Sequence, residues 1–241
     1  MRAGIVSVGT WFPERWMTAA EIAEQSGIPA DIIIDRFGLE GKHIAGSEDH
    51  VSTMAAEAGR DAVERADISM DDIDAVAYFG SKGQDYLVWS VTPKIIDLMG
   101  ARNAFAFDMA SVSCGSPVAV AMTAGLLNGD HSISNVLLVG GCRESHLIDF
   151  TNERSRFMYT FADGGAAALM STSLPGHEVL SYRIITDGSF ADDVAGCIVT
   201  DGARACTDVG MFEADLASAA TTSEPDGAPV FDVDETTGSL L

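Results

Sequence analysis

Short apolar runs alternate with stretches of helical periodicity along the first three-quarters of the chain. Residues 5–8 read as a strand. Residues 18–25 have the spacing of a helix, with Thr18 as N-cap and Glu21 three positions on as the partner in a capping box. Pro29 makes a natural start for a helical segment over residues 31–36. Residues 52–66 place Ala55, Gly59, Ala62, Val63 and Ala66 on one helical face. A strand over 75–79 precedes a helix over 92–99, which Gly100 ends. Further strands are predicted at 104–107, 135–139, 166–170 and 179–186, with a helix over 118–127. Near-continuous apolar strands between helices predict an α/β fold with a mainly parallel sheet covered on both faces. No tandem repeat of 20–50 residues interrupts the pattern.

The segment Phe107-Asp-Met-Ala-Ser-Val-Ser-Cys-Gly-Ser-Pro117 joins one predicted strand to a helix rich in small residues. It sets two candidate nucleophiles, Ser113 and Cys114, side by side at the expected helix start. A helix N-terminus favours negative charge, which suits a thiol that must attack a carbonyl. Cys is the stronger intrinsic nucleophile, whereas Ser needs a positioned base. Gly115 leaves room for an acyl chain, and its amide is a candidate oxyanion donor. The same glycine also suits a sharp turn with no chemical role.

Five segments in order resemble the thiolase superfamily, in its ketoacyl-ACP synthase III and HMG-CoA synthase branch. They are the stretches 4–13, 36–45 and 51–58, the turn at 108–115, and Phe161-Ala-Asp-Gly-Gly-Ala-Ala167. The resemblance covers residues 1 to about 190. It implies a thiolase-like layered fold built from two duplicated halves, each a five-stranded sheet between helices. Residues 1–175 would form the N-terminal half. Residues 176–241 would begin a second half that is largely absent from the chain. It further implies a homodimer or a heteromer with a thiolase-fold partner, and an acyl group delivered by acyl-CoA or acyl carrier protein. Coenzyme A thioester would serve as substrate, with no permanently bound cofactor. Arg36, Arg154 and Arg156 match or neighbour positions that contact the nucleotide end of coenzyme A, where guanidinium forks suit phosphate. Asp163 is expected to be structural. His43 and His50 are expected on a surface loop, and Trp89, Phe157 and Phe212 in the core rather than along a tunnel.

Three departures from the family pattern shape the functional expectation. The family's Cys falls five residues after the position of Asp108, where this chain has Ser113; Cys114 matches only with one residue inserted. No Gly-x-His followed by Ala-Asn occurs in these 241 residues, and none of the five histidines sits in such a context. The loop after residue 79, Gly80-Ser-Lys-Gly-Gln-Asp, lacks the Glu used by HMG-CoA synthases. The expected activity is acyl transfer to Cys114 or Ser113 and Claisen-type condensation, with the His and Asn supplied by a partner chain or lost by truncation. The alternative is a non-catalytic subunit or acyl-CoA-binding partner of a complete synthase.

Four cysteines (Cys114, Cys142, Cys197, Cys206) and five histidines show no metal-ligand spacing, and the last three cysteines are expected as buried free thiols. No apolar run reaches the roughly 18 residues of a membrane span, and the first residues are strand-like, so a cytoplasmic protein is expected. The formal net charge is −22, with only three lysines, and eight acidic but no basic residues follow Arg204. Such a field disfavours nucleic acid and anionic membranes as partners. It fits a host with high internal salt, where screening removes much of the self-repulsion. The corresponding prediction is a higher thermal unfolding midpoint in molar salt than at low ionic strength. An unchanged midpoint would count against salt adaptation.

Overall fold

The computed structural model describes residues 2–80, 85–86, 89–109, 111–190, 195–199, 210–215, 233–234 and 239–240. In chain order the elements are β1 (Gly4–Trp11), β2 (Trp16–Thr18), α1 (Ala19–Ser26), α2 (Ala30–Phe37), β3 (Gly41–His43), α3 (Val51–Arg65), β4 (Ala75–Tyr78), α4 (Thr92–Met99), β5 (Phe105–Asp108), α5 (Gly115–Gly129), β6 (Asn135–Cys142), β7 (Gly164–Ser171) and β8 (His177–Glu178). Short ladders follow at Ala195–Val199 with Gly210–Asp215 and at Val233–Asp234 with Ser239–Leu240. The chain divides into two compact units. One comprises Met1–Arg15, His43–Arg143 and Ala162–Ile184; the other comprises Trp16–Lys42, Glu144–Phe161 and Ile185–Leu241.

The first unit is built on a sheet of order β5-β4-β6-β7-β1-β8. β4 pairs in parallel with β5 and β6, while β7 runs antiparallel to β6 and β1. Strands β1, β4, β5 and β6 therefore point one way, and β7 and the two-residue β8 point the other. The layered α/β architecture expected from the sequence is present, with helices on both faces.

Successive residues of each strand feed opposite cores, which is why the strands read as continuous apolar runs. Val76 and Tyr78 of β4, Leu137 and Val139 of β6, and Ala167 and Leu169 of β7 pack with α3 and α4. Ala75 and Ala77, Val136 and Leu138, and Met170 pack on the other side with Ala119, Ala124 and Leu127 of α5. The fully buried Leu137, Leu138 and Leu169 each contribute about 1.5–3 kcal/mol of transfer free energy.

Helix α3 lies unusually close to the sheet. A Cβ on Gly9 of β1 would sit 2.2 Å from the Ala58 carbonyl oxygen. A Cβ on Gly165 of β7 would sit 2.1 Å from the Met54 carbonyl oxygen. The helix can approach only because both strands lack a side chain there, and because its own inner face is Ala55, Ala58 and Ala62.

In the second unit, α1 has the predicted capping box: the Glu21 amide donates to Thr18 Oγ1 at 3.3 Å, and the Thr18 amide donates to Glu21 Oε2 at 2.6 Å. Pro29 stands at the N-cap of α2, and Gly27 and Gly38 end the two helices in the left-handed conformation. Glycine takes that conformation without steric cost. Gly100 does the same for α4 in the first unit.

One strand expectation is corrected. Residues 179–186 alternate like a strand, yet only His177 and Glu178 pair with β1. Beyond Val179 the segment leaves the ladder, and Leu180, Tyr182 and Ile185 stand exposed. A period-two pattern makes a strand only where an edge is available to pair with it. The close seat of α3 yields a direct test. Gly165→Ala is expected to lower stability by about 1–3 kcal/mol in denaturant unfolding, because backbone rather than a flexible side chain opposes the new methyl.

Candidate active site

Strand β5 ends at Asp108, and helix α5 begins at Gly115. Between them the chain makes a tight turn over Val112–Cys114, closed by the Cys114 amide donating to the Ser111 carbonyl at 3.0 Å. Cys114 is the N-cap residue of α5, with Ser113 immediately before it, and both are exposed. Cys114 is a free thiol, and its side chain does not cap the helix. The structure thus brings both candidate nucleophiles to the accessible start of a helix whose apolar face is buried against the sheet.

Gly115 has a different role from the one its amide suggested. Its N–H donates to the Val112 carbonyl within the turn, so it is engaged there rather than presented as an oxyanion donor. Its φ of −57° is ordinary right-handed backbone. Glycine is needed because a Cβ would lie 2.1 Å from the Phe79 carbonyl oxygen. The start of α5 therefore abuts the end of β4.

The other end of the turn is held as firmly. The Asp108 carboxylate accepts hydrogen bonds from the Thr92 hydroxyl and, at 3.3 Å, from the Thr92 amide in the first turn of α4. The Thr92 hydroxyl also lies 3.1 Å from the Phe107 carbonyl. Helix α4 has no capping side chain of its own at Val91, so Asp108 supplies an acceptor from a neighbouring strand. The Met109 amide donates to the Tyr78 carbonyl at 2.8 Å, and the buried Tyr78 hydroxyl donates to the Gly141 carbonyl at 3.0 Å. Asp108 matters here as a brace, a role that only the fold displays.

Between these restraints, Val112 adopts φ +45°. For a β-branched residue this left-handed region is a steric outlier costing roughly 1–2 kcal/mol. Its side chain is 63% exposed, so no core contact accounts for the conformation.

Asp163 is structural, as expected. It is buried, accepts from the Ala45 amide at 2.7 Å, and donates its own amide to the His43 carbonyl at 3.0 Å. His43 is half-buried, stacked on Phe12 with ring centroids 5.1 Å apart, and its Nδ1 lies 2.7 Å from the Pro13 carbonyl. Cys142 is half-buried against the Ala162 carbonyl; the side chain of Cys197 and the whole of Cys206 lie outside the described residues. The core assignment of two aromatics is corrected. Trp89, edge-on to Tyr86, is 37% exposed, and Phe157, in a short 3-10 helix and edge-on to Phe161, is 42% exposed, so each packs one side of its ring on an aromatic neighbour and leaves the rest in solvent. The side chain of Phe212 and most of the Gly80–Asp85 loop lie outside the described residues.

The predicted nucleotide-contacting arginines belong to the second unit. Arg36 is exposed in the last turn of α2. Arg156 is also exposed and is hydrogen-bonded to the Tyr159 phenol, whose pKa is raised by burial against the lowering effect of that guanidinium. The side chain of Arg154 lies outside the described residues. Lys42, which the sequence pattern did not single out, is buried; its Nζ donates to the Tyr159 carbonyl at 3.0 Å and sits 5.2 Å over the Phe150 ring. Among the described residues, no cluster of acidic, His and Cys side chains could hold a metal, and no helix is long and apolar enough to cross a membrane.

A family model described as 3-oxoacyl-[acyl-carrier-protein (ACP)] synthase III matches residues 107–188, beginning at the turn just described. A beta-ketoacyl-[acyl-carrier-protein] synthase III of Sulfurovum sp. is 31% identical over 192 residues, covering 79% of this chain and 55% of that protein. One from Listeria innocua is 29% identical over 189 residues, covering 78% of this chain and 59% of that protein. The crystal structure of the beta-ketoacyl-[acyl carrier protein] synthase III of Thermus thermophilus superposes with a TM-score of 0.72 at 26% identity, over 82% of this chain and 60% of that one. The chain thus spans little more than half the length of the curated relatives it matches.

The Asp108 brace is testable apart from any activity. Asp108→Ala is expected to cost about 1–3 kcal/mol in denaturant unfolding, because the Thr92 amide loses its acceptor and the buried hydroxyl keeps only the Phe107 carbonyl. Asp108→Asn keeps an acceptor oxygen and should cost less than half as much.

Proposed function

The chain is a relative of the 3-oxoacyl-[acyl-carrier-protein] synthase III family, aligned with its relatives over little more than half of their length, and on that footing we propose that it is an acyltransferase of the same type. The observation that carries the reading is the family match beginning at the braced turn, where Ser113 and Cys114 stand exposed at the start of α5. In the proposed first step, the Cys114 sulfur attacks the thioester carbonyl of acyl-CoA. The bond to the coenzyme A sulfur breaks, that sulfur leaves as the thiol, and the acyl group remains on Cys114. The acyl group then passes to a carbon nucleophile in a Claisen-type condensation, which regenerates the cysteine. Ser113, in the position the family gives its nucleophile, is the competing acceptor.

Coenzyme A thioester is a substrate in this reading, and no bound cofactor is required. Arg36 is proposed to meet its nucleotide end, supported by its exposure and by guanidinium–phosphate chemistry. Arg156 can join only by sharing or giving up its hydrogen bond to Tyr159. The proton-handling His and Asn are proposed to come from the part of the fold that this chain does not match, carried by a partner chain. Residues 1–175 would then be the first half of the layered fold, closed by β7 and supporting the nucleophile, and residues 176–241 the start of the second.

A second reading is favoured by Ser113 standing where the family has its Cys: a non-catalytic or acyl-CoA-binding subunit of a complete synthase. Incubation with radiolabelled acetyl-CoA separates the two. Label is expected on the peptide containing residues 113–114, and Cys114→Ala is expected to abolish it. Loss with Ser113→Ala and retention with Cys114→Ala would transfer the role to Ser113. Absence of covalent label in the unaltered chain, with saturable acetyl-CoA binding, would establish the second reading.

A further inference from the structure

The second unit holds a side-chain hub that carries no step of the proposed chemistry. Tyr159, near the end of the 3-10 helix Glu153–Thr160, is 1% exposed. Its ring packs on two aromatics, with the Phe37 centroid 5.9 Å away and the Phe150 centroid 5.1 Å away. Its hydroxyl donates to the Phe150 carbonyl at 2.8 Å, and its backbone carbonyl accepts from Lys42 Nζ at 3.0 Å. With its one hydrogen committed to Phe150, the phenol oxygen can only accept from its other neighbours. It accepts from the exposed Arg156 and is also hydrogen-bonded to Ser26, the last residue of α1. A guanidinium has five N–H donors and no acceptor, so it fits such an oxygen and can still turn a fork towards an anion. Arg36 precedes Phe37 at the end of α2, so the Tyr159 ring also abuts the element that presents the second arginine.

We infer that Tyr159 is a positioning residue: its buried phenol holds the exposed Arg156 guanidinium in one orientation, ready to share a second edge with the phosphates of coenzyme A. This rests on the proposed binding of coenzyme A, and it gives Tyr159 no contact with the substrate. A long arginine side chain free in solvent must be ordered when it meets phosphate, and that ordering weakens binding. A guanidinium already bonded to a buried oxygen has met that cost on folding. The phenol suits the task because its own place is fixed by two ring neighbours and a backbone carbonyl. A carboxylate in its place would grip the guanidinium more strongly but would neutralise the charge that phosphate requires. In a chain of net charge −22, a neutral acceptor leaves the arginine cationic towards a polyanionic ligand.

The test measures coenzyme A affinity by titration calorimetry in the unaltered full chain, in Tyr159→Phe, in Arg156→Gln and in the double variant. Tyr159→Phe keeps the ring against its neighbours and the Lys42 bond to the backbone carbonyl, and removes only the hydroxyl. Its dissociation constant is expected to rise about threefold to tenfold. Arg156→Gln should weaken binding by at least as much. The double variant should bind no more weakly than Arg156→Gln alone, because the phenol acts only through the arginine. A tyrosine that merely supports the fold would add its loss in both backgrounds. Equal losses from Tyr159→Phe with and without Arg156 therefore overturn the inference. So does unchanged affinity in either single variant, a Tyr159→Phe chain with no cooperative melt, or an unaltered chain that does not bind coenzyme A. If coenzyme A binds but radiolabelled acetyl-CoA leaves no covalent label, the acyltransferase reading fails by itself and the double-variant comparison still decides the role of Tyr159.

Discussion

The contact between the backbone of α3 and the bare backbone of β1 and β7 governs the first unit. At Gly9 and Gly165 a helix carbonyl occupies the space a side chain would fill. Everything nearby follows from that proximity. The inner face of α3 must be alanine-rich, and the sheet beneath it must be apolar on both sides. Helix–sheet packing at ordinary distance tolerates exchange of one aliphatic residue for another, but backbone-on-backbone packing does not, because a carbonyl cannot change rotamer. The antiparallel β7, wedged between β6 and β1, is held in register by this helix as well as by its ladders.

The opposite face repeats the theme with α5, where Ala119 and Ala124 meet the small Ala75 and Ala77 of β4. The position of the candidate nucleophiles is a by-product of that seat. Gly115 stops α5 against Phe79, and Asp108 stops β5 against α4, so the turn at Val112–Cys114 lies between two fixed points. Reactive groups held this way gain orientation without needing a partner of their own. Ser113 and Cys114 are exposed, whereas Thr92, Tyr78 and Gly115, which anchor the two ends of the turn, are buried.

The second unit handles charge differently. In a chain of net charge −22, Lys42 is sequestered under Phe150 and bonded to a carbonyl, which satisfies it without engaging a carboxylate through that contact. Arg156 is shared with a buried phenol, while Arg36 reaches solvent from the end of α2. The few basic groups are thus sorted into structural and accessible ones by their neighbours rather than by their chemistry.

Local signals determined much of this protein from sequence alone. The Thr18–Glu21 capping box, the glycine stop of α4 and the apolar runs of β4, β6 and β7 depend on residues close in the chain, and each formed where the pattern indicated. The adjacency of Ser113 and Cys114 at a helix start was legible for the same reason. Tertiary structure decided what depends on distant partners. Residues 179–186 carry a strand pattern but pair only at their threshold, since alternation does not supply an edge. Asp108 is a brace because Thr92 lies beside it, Gly115 is required because Phe79 crosses it, and Val112 is left-handed because both ends of its turn are pinned. A sequence records which residue is present. Whether that residue is strained, braced or buried is set by atoms that the fold brings to it from elsewhere in the chain.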